Sequence, residues 1–302
     1  MPVIPADVLN GTGDKPYRVL LTGFGPFGQF KINPSWLAVK PLHNLILDGT
    51  PAPITYSESK QIVLEQPAPA SKQIHITALQ VPTEYEWVLE NAPAFHTRPP
   101  VLPASDDPML PSIPPPEEGY DLVFHVGVTR AGDVRMETQG HKYGYRLPDA
   151  AGKLAPIVAQ ENAEGRCAEL SEAEKMERQR LTGSNGVVPE GGDKEPIRGF
   201  GKGYEDCGEK IKTEIDVAEL VAHLKETKPG EKYICQSFDA GRYLCDFTYY
   251  CSLANNQKQH LSGAGGKRTK VLFFHCPPVD QPLSTEEVTE IVKKTIVWVA
   301  QH

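Results

Sequence analysis

Short apolar runs of strand length, each followed by a stretch of helical periodicity, recur along the 302 residues of this chain. YRVLLTGFGPFG (17–28) is an apolar run entering a glycine-punctuated loop. KQIHITALQV (72–81), YDLVFHVGV (120–128), EKYICQSF (231–238) and KVLFFHCP (270–277) have the same strand character. Between them lie segments with helical signals. INPSWLAVKPLHNL (32–45) carries Pro34, suited to a first helical turn, and Pro41, which ends or kinks the helix early. PTEYEWVLENA (82–92), VAELVAHLKE (217–226) and GRYLCDFTYYCSLANN (241–256) can each form a helix, the last after a turn at Gly241. STEEVTEIVKKTIVWVAQ (284–301) closes the chain, with Ser284 or Thr285 as its cap. Strands alternating with helices predict an α/β sheet covered on both faces. The chain carries no internal repeat.

Composition narrows the function classes. A formal charge of −8 argues against a general nucleic-acid binder, which needs a basic surplus. No apolar run approaches the ~18 residues of a membrane span. The first residues, MPVIPADVLNGTGDKPYRVLL, lack a basic region followed by an apolar core, so no secretory signal is expected. Six cysteines without a CxxC pair fit neither a disulfide framework nor a zinc site. Free thiols without a signal imply a cytosolic protein.

Two segments break the rhythm. Residues 93–119 contain nine prolines and read as neither helix nor inner strand. Residues 157–203 are polar and rich in glycine and charge; within them Ser171, Glu174 and Arg178 have the spacing of a capped, ion-paired helix. Both read as surface insertions, the second with a short exposed helix. Residues 1–16 read as a loose arm.

The chemistry-bearing candidates are few. Cys245 follows Gly241 closely enough to sit in the first turn of a helix. Free N–H groups and the positive dipole end there favour a thiolate, although a packed structural cysteine is the commoner outcome. Cys251 faces elsewhere and reads as packing. His275 closes an apolar strand, and strand C-terminal ends are where sites gather in open α/β sheets, although a hydrogen-bonded core histidine is the commoner outcome of that pattern. His125, inside its strand, reads as core. Glu137 in DVRMETQGHKYGY lies just beyond a predicted strand, where an acid is ordinarily solvated. GFGPFG has no phosphate-loop continuation, but its Phe24 and Phe27 can wall a small flat pocket.

Together, four segments resemble pyroglutamyl-peptidase I, the pyrrolidone carboxyl peptidase family of cysteine exopeptidases. LLTGFGPFGQFKINPSW resembles the family's N-terminal signature, and HVGVTRAGDVRMETQGHKYGYRLPD its glutamate segment. DAGRYLCDFTYYCSL resembles the nucleophile segment and FFHCPPV the histidine segment, all in the family order. The resemblance implies a three-layer α/β/α sandwich with a twisted, mixed, mostly parallel sheet, as one domain over 17–302 with two insertions. It implies Cys245 as nucleophile, His275 as general base and Glu137 as the residue orienting the imidazole. It further implies Phe24 and Phe27 in a pyroglutamyl pocket, Asn33 as a supporting residue, and no metal or cofactor. Substrates would be small peptides with an N-terminal pyroglutamate, and the protein a monomer or homo-oligomer.

The chain departs from the family pattern in three places. Arg130 stands where the family has a small residue or glycine, and the loop to Glu137 is one residue shorter than in animal forms. The two insertions have no clear counterpart. These departures keep open two other readings: a non-catalytic relative that binds blocked peptide ends or another partner, and a related cysteine amidohydrolase.

Overall fold

The computed structural model describes residues 15–49, 72–105, 107, 110–159, 196–229, 232–262 and 268–302. The expected arm, all but its last two residues, and the helix expected around Ser171–Arg178 lie outside these.

Seven strands form the central sheet. They are β1 (Tyr17–Phe24), β2 (Ile46–Asp48), β3 (Gln73–Val81), β4 (Leu122–Val128), β5 (Val134–Glu137), β10 (Ile234–Ser237) and β11 (Lys270–Cys276). Their order is β10-β5-β11-β4-β1-β3-β2. The inner four, β11, β4, β1 and β3, pair in parallel. Strand β5 pairs antiparallel with β11, β10 runs parallel to β5, and β2 runs antiparallel to β3. The sheet is therefore mixed and mostly parallel, as the family resemblance implies. Two small ribbons stand apart from it, β6 (Gln139–His141) with β9 (Lys210–Lys212), and β7 (Ile157–Ala159) with β8 (Ile197–Arg198).

The alternation of side chains along the inner strands sorts the core into two layers. Val19, Leu21, Phe124, Val126, Leu272 and Phe274 point to one face. Three helices cover them: α1 (Pro34–Val39), α3 (Val217–Lys225) and α5 (Thr285–Gln301). Leu20, Val123, Val271 and Phe273 point to the other face, under α2 (Tyr85–Asn91) and α4 (Leu244–Leu261). Each fully buried side chain of this size contributes about 1.5–3 kcal/mol by leaving water. The outcome is the expected α/β/α arrangement. Helix starts follow their local chemistry. Asn33 caps α1 ahead of Pro34, while Ser284 caps α5 in a reciprocal box with Glu287.

Three expectations need correction. Glu137 does not lie beyond the strands in solvent: it ends β5 and is fully buried. Val134 and Met136 turn into the core, and this short strand is inserted beside β11 to complete the sheet. The proline-rich segment is not simply an excursion. It starts with a 3₁₀ turn (Ala92–His96) whose Phe95 and His96 are buried, and Leu110 packs on the first core layer. The C-terminal end of the polar segment likewise belongs to the core. Phe200 is buried against Phe247, ring centroids 4.1 Å apart, and against Tyr250 at 4.7 Å.

Candidate active site

Strand register accounts for the first pair of site residues. In the antiparallel pairing of β5 with β11, Glu137 lies opposite Phe273 and Arg135 opposite His275. Partners across a ladder, and residues two apart along a strand, share a face. Glu137 and His275 are thus diagonal neighbours on the face covered by α4. His275 Nδ1 and Glu137 Oε1 are 2.8 Å apart, and both side chains are buried. The imidazole donates from Nδ1 to the carboxylate, which leaves Nε2 as its other working nitrogen. The second carboxylate oxygen of Glu137, Oε2, is buried without a hydrogen-bond partner. Behind the pair, the Tyr249 hydroxyl donates to the Glu137 carbonyl at 3.0 Å.

The third residue comes from the helix that covers this face. Tyr243 is the N-cap of α4 and makes no side-chain cap hydrogen bond, and Cys245 follows two residues later in the first turn. Cys245 is half-buried. On β4, Gly127 is the Cα partner of His275. A Cβ built on Gly127 would come within 2.7 Å of the Cys245 sulphur and 2.9 Å of Phe273 Cζ. The sulphur thus occupies the space a side chain at Gly127 would need, beside the strand that carries His275. Sequence reading missed Gly127, because a glycine inside an apolar strand has no local signature of what approaches it.

Phe24, the last residue of β1, is buried, with its ring 6.5 Å from Phe273. Phe27, on the following loop, is half-buried and packs against Tyr243 at 5.6 Å. Asn33 is fully built in. Its Oδ1 accepts from the Ser35 N–H and hydroxyl, and its Nδ2 donates to the Gly25 carbonyl. Ser35 Oγ in turn accepts from the Phe24 N–H at 3.0 Å. Asn33 therefore fixes the shape of the phenylalanine loop. Arg130 is exposed on the β4–β5 turn, whereas Arg135 is half-buried on the His275 side.

The other thiols behave differently. Cys251 is buried beside the Tyr204 hydroxyl, and burial pushes its thiol up to about 12; Cys276 is likewise raised to about 12 by burial. Cys235, half-buried in β10, is raised by the same cause. Cys207 is half-buried against the second core layer. His125 sits within β4 as a core residue, 2.8 Å from Thr22 Oγ1 and held down at about 3 by burial.

Among the described residues, one group has metal-ligand chemistry: His141, Asp239 and Asp246. Arg242 already bridges the two carboxylates, Nη1 lying 2.6 Å from Asp239 and 3.3 Å from Asp246. The group is an ion-pair network centred on Arg242. Among the described residues, no helix is long and apolar enough to cross a membrane.

Comparison with known proteins adds independent observations. The pyroglutamyl peptidase family model matches residues 17–101. Pyroglutamyl-peptidase 1 of Rattus norvegicus is 26% identical over 279 residues, covering 92% of this chain and 87% of the relative. The Homo sapiens protein of that name gives the same figures. Two crystal structures share the fold. Pyroglutamyl peptidase I of Bacillus amyloliquefaciens gives a TM-score of 0.55 at 19% identity, over 95% of this chain and 98% of that one. Pyrrolidone carboxyl peptidase of Pyrococcus furiosus gives 0.54 at 17%, over 94% and 98%. All three comparisons point to the pyroglutamyl peptidase I family. The shared fold extends over nearly the whole chain.

Proposed function

We propose that this chain is a cysteine peptidase that hydrolyses the amide bond after an N-terminal pyroglutamyl residue. The family match and the relatives' names support a cysteine peptidase of this kind. The observation that carries the finer reading is the 2.8 Å His275–Glu137 pair, in register with the glycine whose missing side chain makes room for the Cys245 sulphur.

In this reading the Cys245 thiol gives its proton to His275 Nε2, and the thiolate attacks the carbonyl carbon of the pyroglutamyl residue. Charge moves to the carbonyl oxygen, where first-turn N–H groups of α4 can receive it; losing one such donor typically costs about 10²–10³ in rate. The C–N bond breaks as His275 Nε2 returns the proton to the leaving amine. Water, deprotonated by the same nitrogen, then attacks the thioester and frees pyroglutamate and the thiol. Glu137 orients the ring through Nδ1 and stabilises the imidazolium. Phe24 and Phe27 offer apolar walls to a flat, neutral lactam.

The test compares wild type with Cys245→Ala on a pyroglutamyl fluorogenic amide, with prolyl and leucyl amides as controls, under reducing conditions. Turnover of the pyroglutamyl amide alone, abolished by the substitution, is the expected result. A folded wild type that binds pyroglutamyl peptides without turnover supports instead a binding protein with a relic site. Preference for another amide or lactam supports a different amidohydrolase.

A further inference from the structure

The backbone entering the nucleophile helix is unusual. Gly241 and then Arg242 adopt left-handed conformations, φ 94° and 51°, immediately before Tyr243. For an arginine this region is sterically unfavourable, so something must hold it there. The surroundings provide the restraint. Asp239 Oδ1 accepts from the Gly241 N–H at 3.0 Å and from Arg242 Nη1 at 2.6 Å. The same guanidinium nitrogen reaches Asp246 Oδ2 at 3.3 Å. Arg242 thus ties the residue that opens the turn to the residue directly after Cys245.

Asp246 is fully buried, and its remaining acceptor capacity is used by a different element. Oδ1 accepts the backbone N–H of His141 at 3.0 Å, and Oδ2 lies 3.0 Å from His141 Nδ1. The proton on that ring can be assigned. Gln139 Nε2 donates to the Phe238 carbonyl at 2.8 Å, which fixes it as the amide nitrogen, and it also lies 3.2 Å from His141 Nε2. Nε2 therefore accepts, and Nδ1 donates to Asp246. Two glycines make the approach possible. A Cβ at Gly140 would come to 2.8 Å from the Tyr250 backbone, and one at Gly144 to 3.2 Å from Arg242 Cδ. The β6 ribbon is thereby seated directly on the first two turns of α4.

Resting on the peptidase reading above, the geometry points to Arg242, Asp246 and His141 as a positioning set for the turn that presents Cys245. None of them touches the reacting atoms. Their role is to keep the Gly241–Tyr243 backbone in the strained shape that presents the Cys245 sulphur for attack. Loss of the set therefore weakens transition-state binding more than ground-state binding, which lowers kcat and leaves KM nearly unchanged.

The experiment uses the full chain and the pyroglutamyl fluorogenic amide with Arg242→Lys, Arg242→Gln, Asp246→Asn and Asp246→Ala. The expected order of kcat is wild type, then Arg242→Lys and Asp246→Asn, then Arg242→Gln and Asp246→Ala, the last two reduced at least about 100-fold. KM stays within about threefold throughout. Affinity for 5-oxoprolinal, an aldehyde that forms a tetrahedral adduct with a thiol, falls in parallel with kcat, while affinity for pyroglutamide does not. Thermal melts identify any variant that fails to fold, and Arg242→Lys, which keeps charge and length, decides the matter if Asp246→Ala unfolds. Unchanged kcat in folded variants, or equal loss of affinity for aldehyde and amide, overturns the inference and leaves the peptidase reading intact. An inactive wild type overturns both.

Discussion

Gly127 and His275 face each other as Cα partners across the β4–β11 ladder, and the sulphur of Cys245 lies where a Gly127 side chain would stand. The position tolerates no larger residue. In Gly127→Ala the new methyl would meet the Cys245 sulphur at 2.7 Å and Phe273 Cζ at 2.9 Å, and the phenylalanine is fully buried and cannot swing away. Overpacking of this kind costs about 1–3 kcal/mol of stability. Displacing a nucleophile by about 1 Å costs about 10²-fold in rate. Gly127→Ala is therefore expected to melt a few degrees lower and to lose about 10²-fold or more in kcat/KM. Full activity would mean that the sulphur works from another position.

Glu137→Gln separates stability from catalysis. The amide keeps an acceptor for His275 Nδ1 but removes a charge that is fully buried with one oxygen unpartnered. Removing a buried charge spares its desolvation cost while the hydrogen bond to Nδ1 survives. An imidazolium facing a neutral amide loses its electrostatic support, and in comparable triads the equivalent change lowers kcat by about 10⁴. The expected variant thus melts at or above the wild-type temperature while kcat falls by about 10³–10⁴. A drop in melting temperature with activity retained would assign Glu137 a purely structural role.

That pair also shows how far the sequence could be read. The inner strands β1, β3, β4 and β11 are legible because they are apolar along their length, as strands buried on both faces must be. The long helices carry their caps and periodicity locally. VRME, by contrast, is four residues long, with a charge at every second position. Too short to establish a period, it becomes a strand only because Val134 and Met136 find the core beside β11. Phe200 is a lone aromatic in a glycine-rich stretch, and nothing local foretells that it stacks on Phe247. His141 and Asp246 are 105 positions apart and meet only once the β6 ribbon is seated on α4. Cys245, His275 and the phenylalanine loop were legible as candidates, since each stands at the end of a recognisable element.

Thiol reactivity should divide sharply. Burial holds the thiols of Cys251 and Cys276 up at about 12, leaving about 10⁻⁴ of each as thiolate at pH 8. Cys245 is half-buried at the start of a helix, where thiolate is favoured. Brief treatment of the native protein with iodoacetamide, followed by peptide mass spectrometry, is expected to modify Cys245 and leave Cys251 and Cys276 unmodified until the protein is unfolded in urea. Equal labelling of Cys251 and Cys245 would contradict this assignment.

The buried histidines outside the site set the acid limit of stability. His96 and His125 are each held down at about 3 by burial, so both are neutral in the folded protein. In the unfolded chain each takes up a proton near 6.5. Because the folded value is the lower one, protonation favours the unfolded state. The stability these residues permit is complete above about pH 6.5 and is lost as pH falls toward 3, the reverse of a histidine paired with a carboxylate. Each residue contributes about 1.4 kcal/mol per pH unit in that window. Going from pH 7.5 to 5.5 therefore costs about 2–3 kcal/mol for the two together, and His75, lowered to about 4 mainly by burial, acts in the same direction. Urea titrations at the two pH values measure the difference. In His125→Asn, which keeps a polar partner for Thr22 Oγ1, the pH dependence should shrink by about 1.4 kcal/mol, even if stability at pH 7.5 also falls. An unchanged slope in that variant would show that His125 is already protonated in the fold.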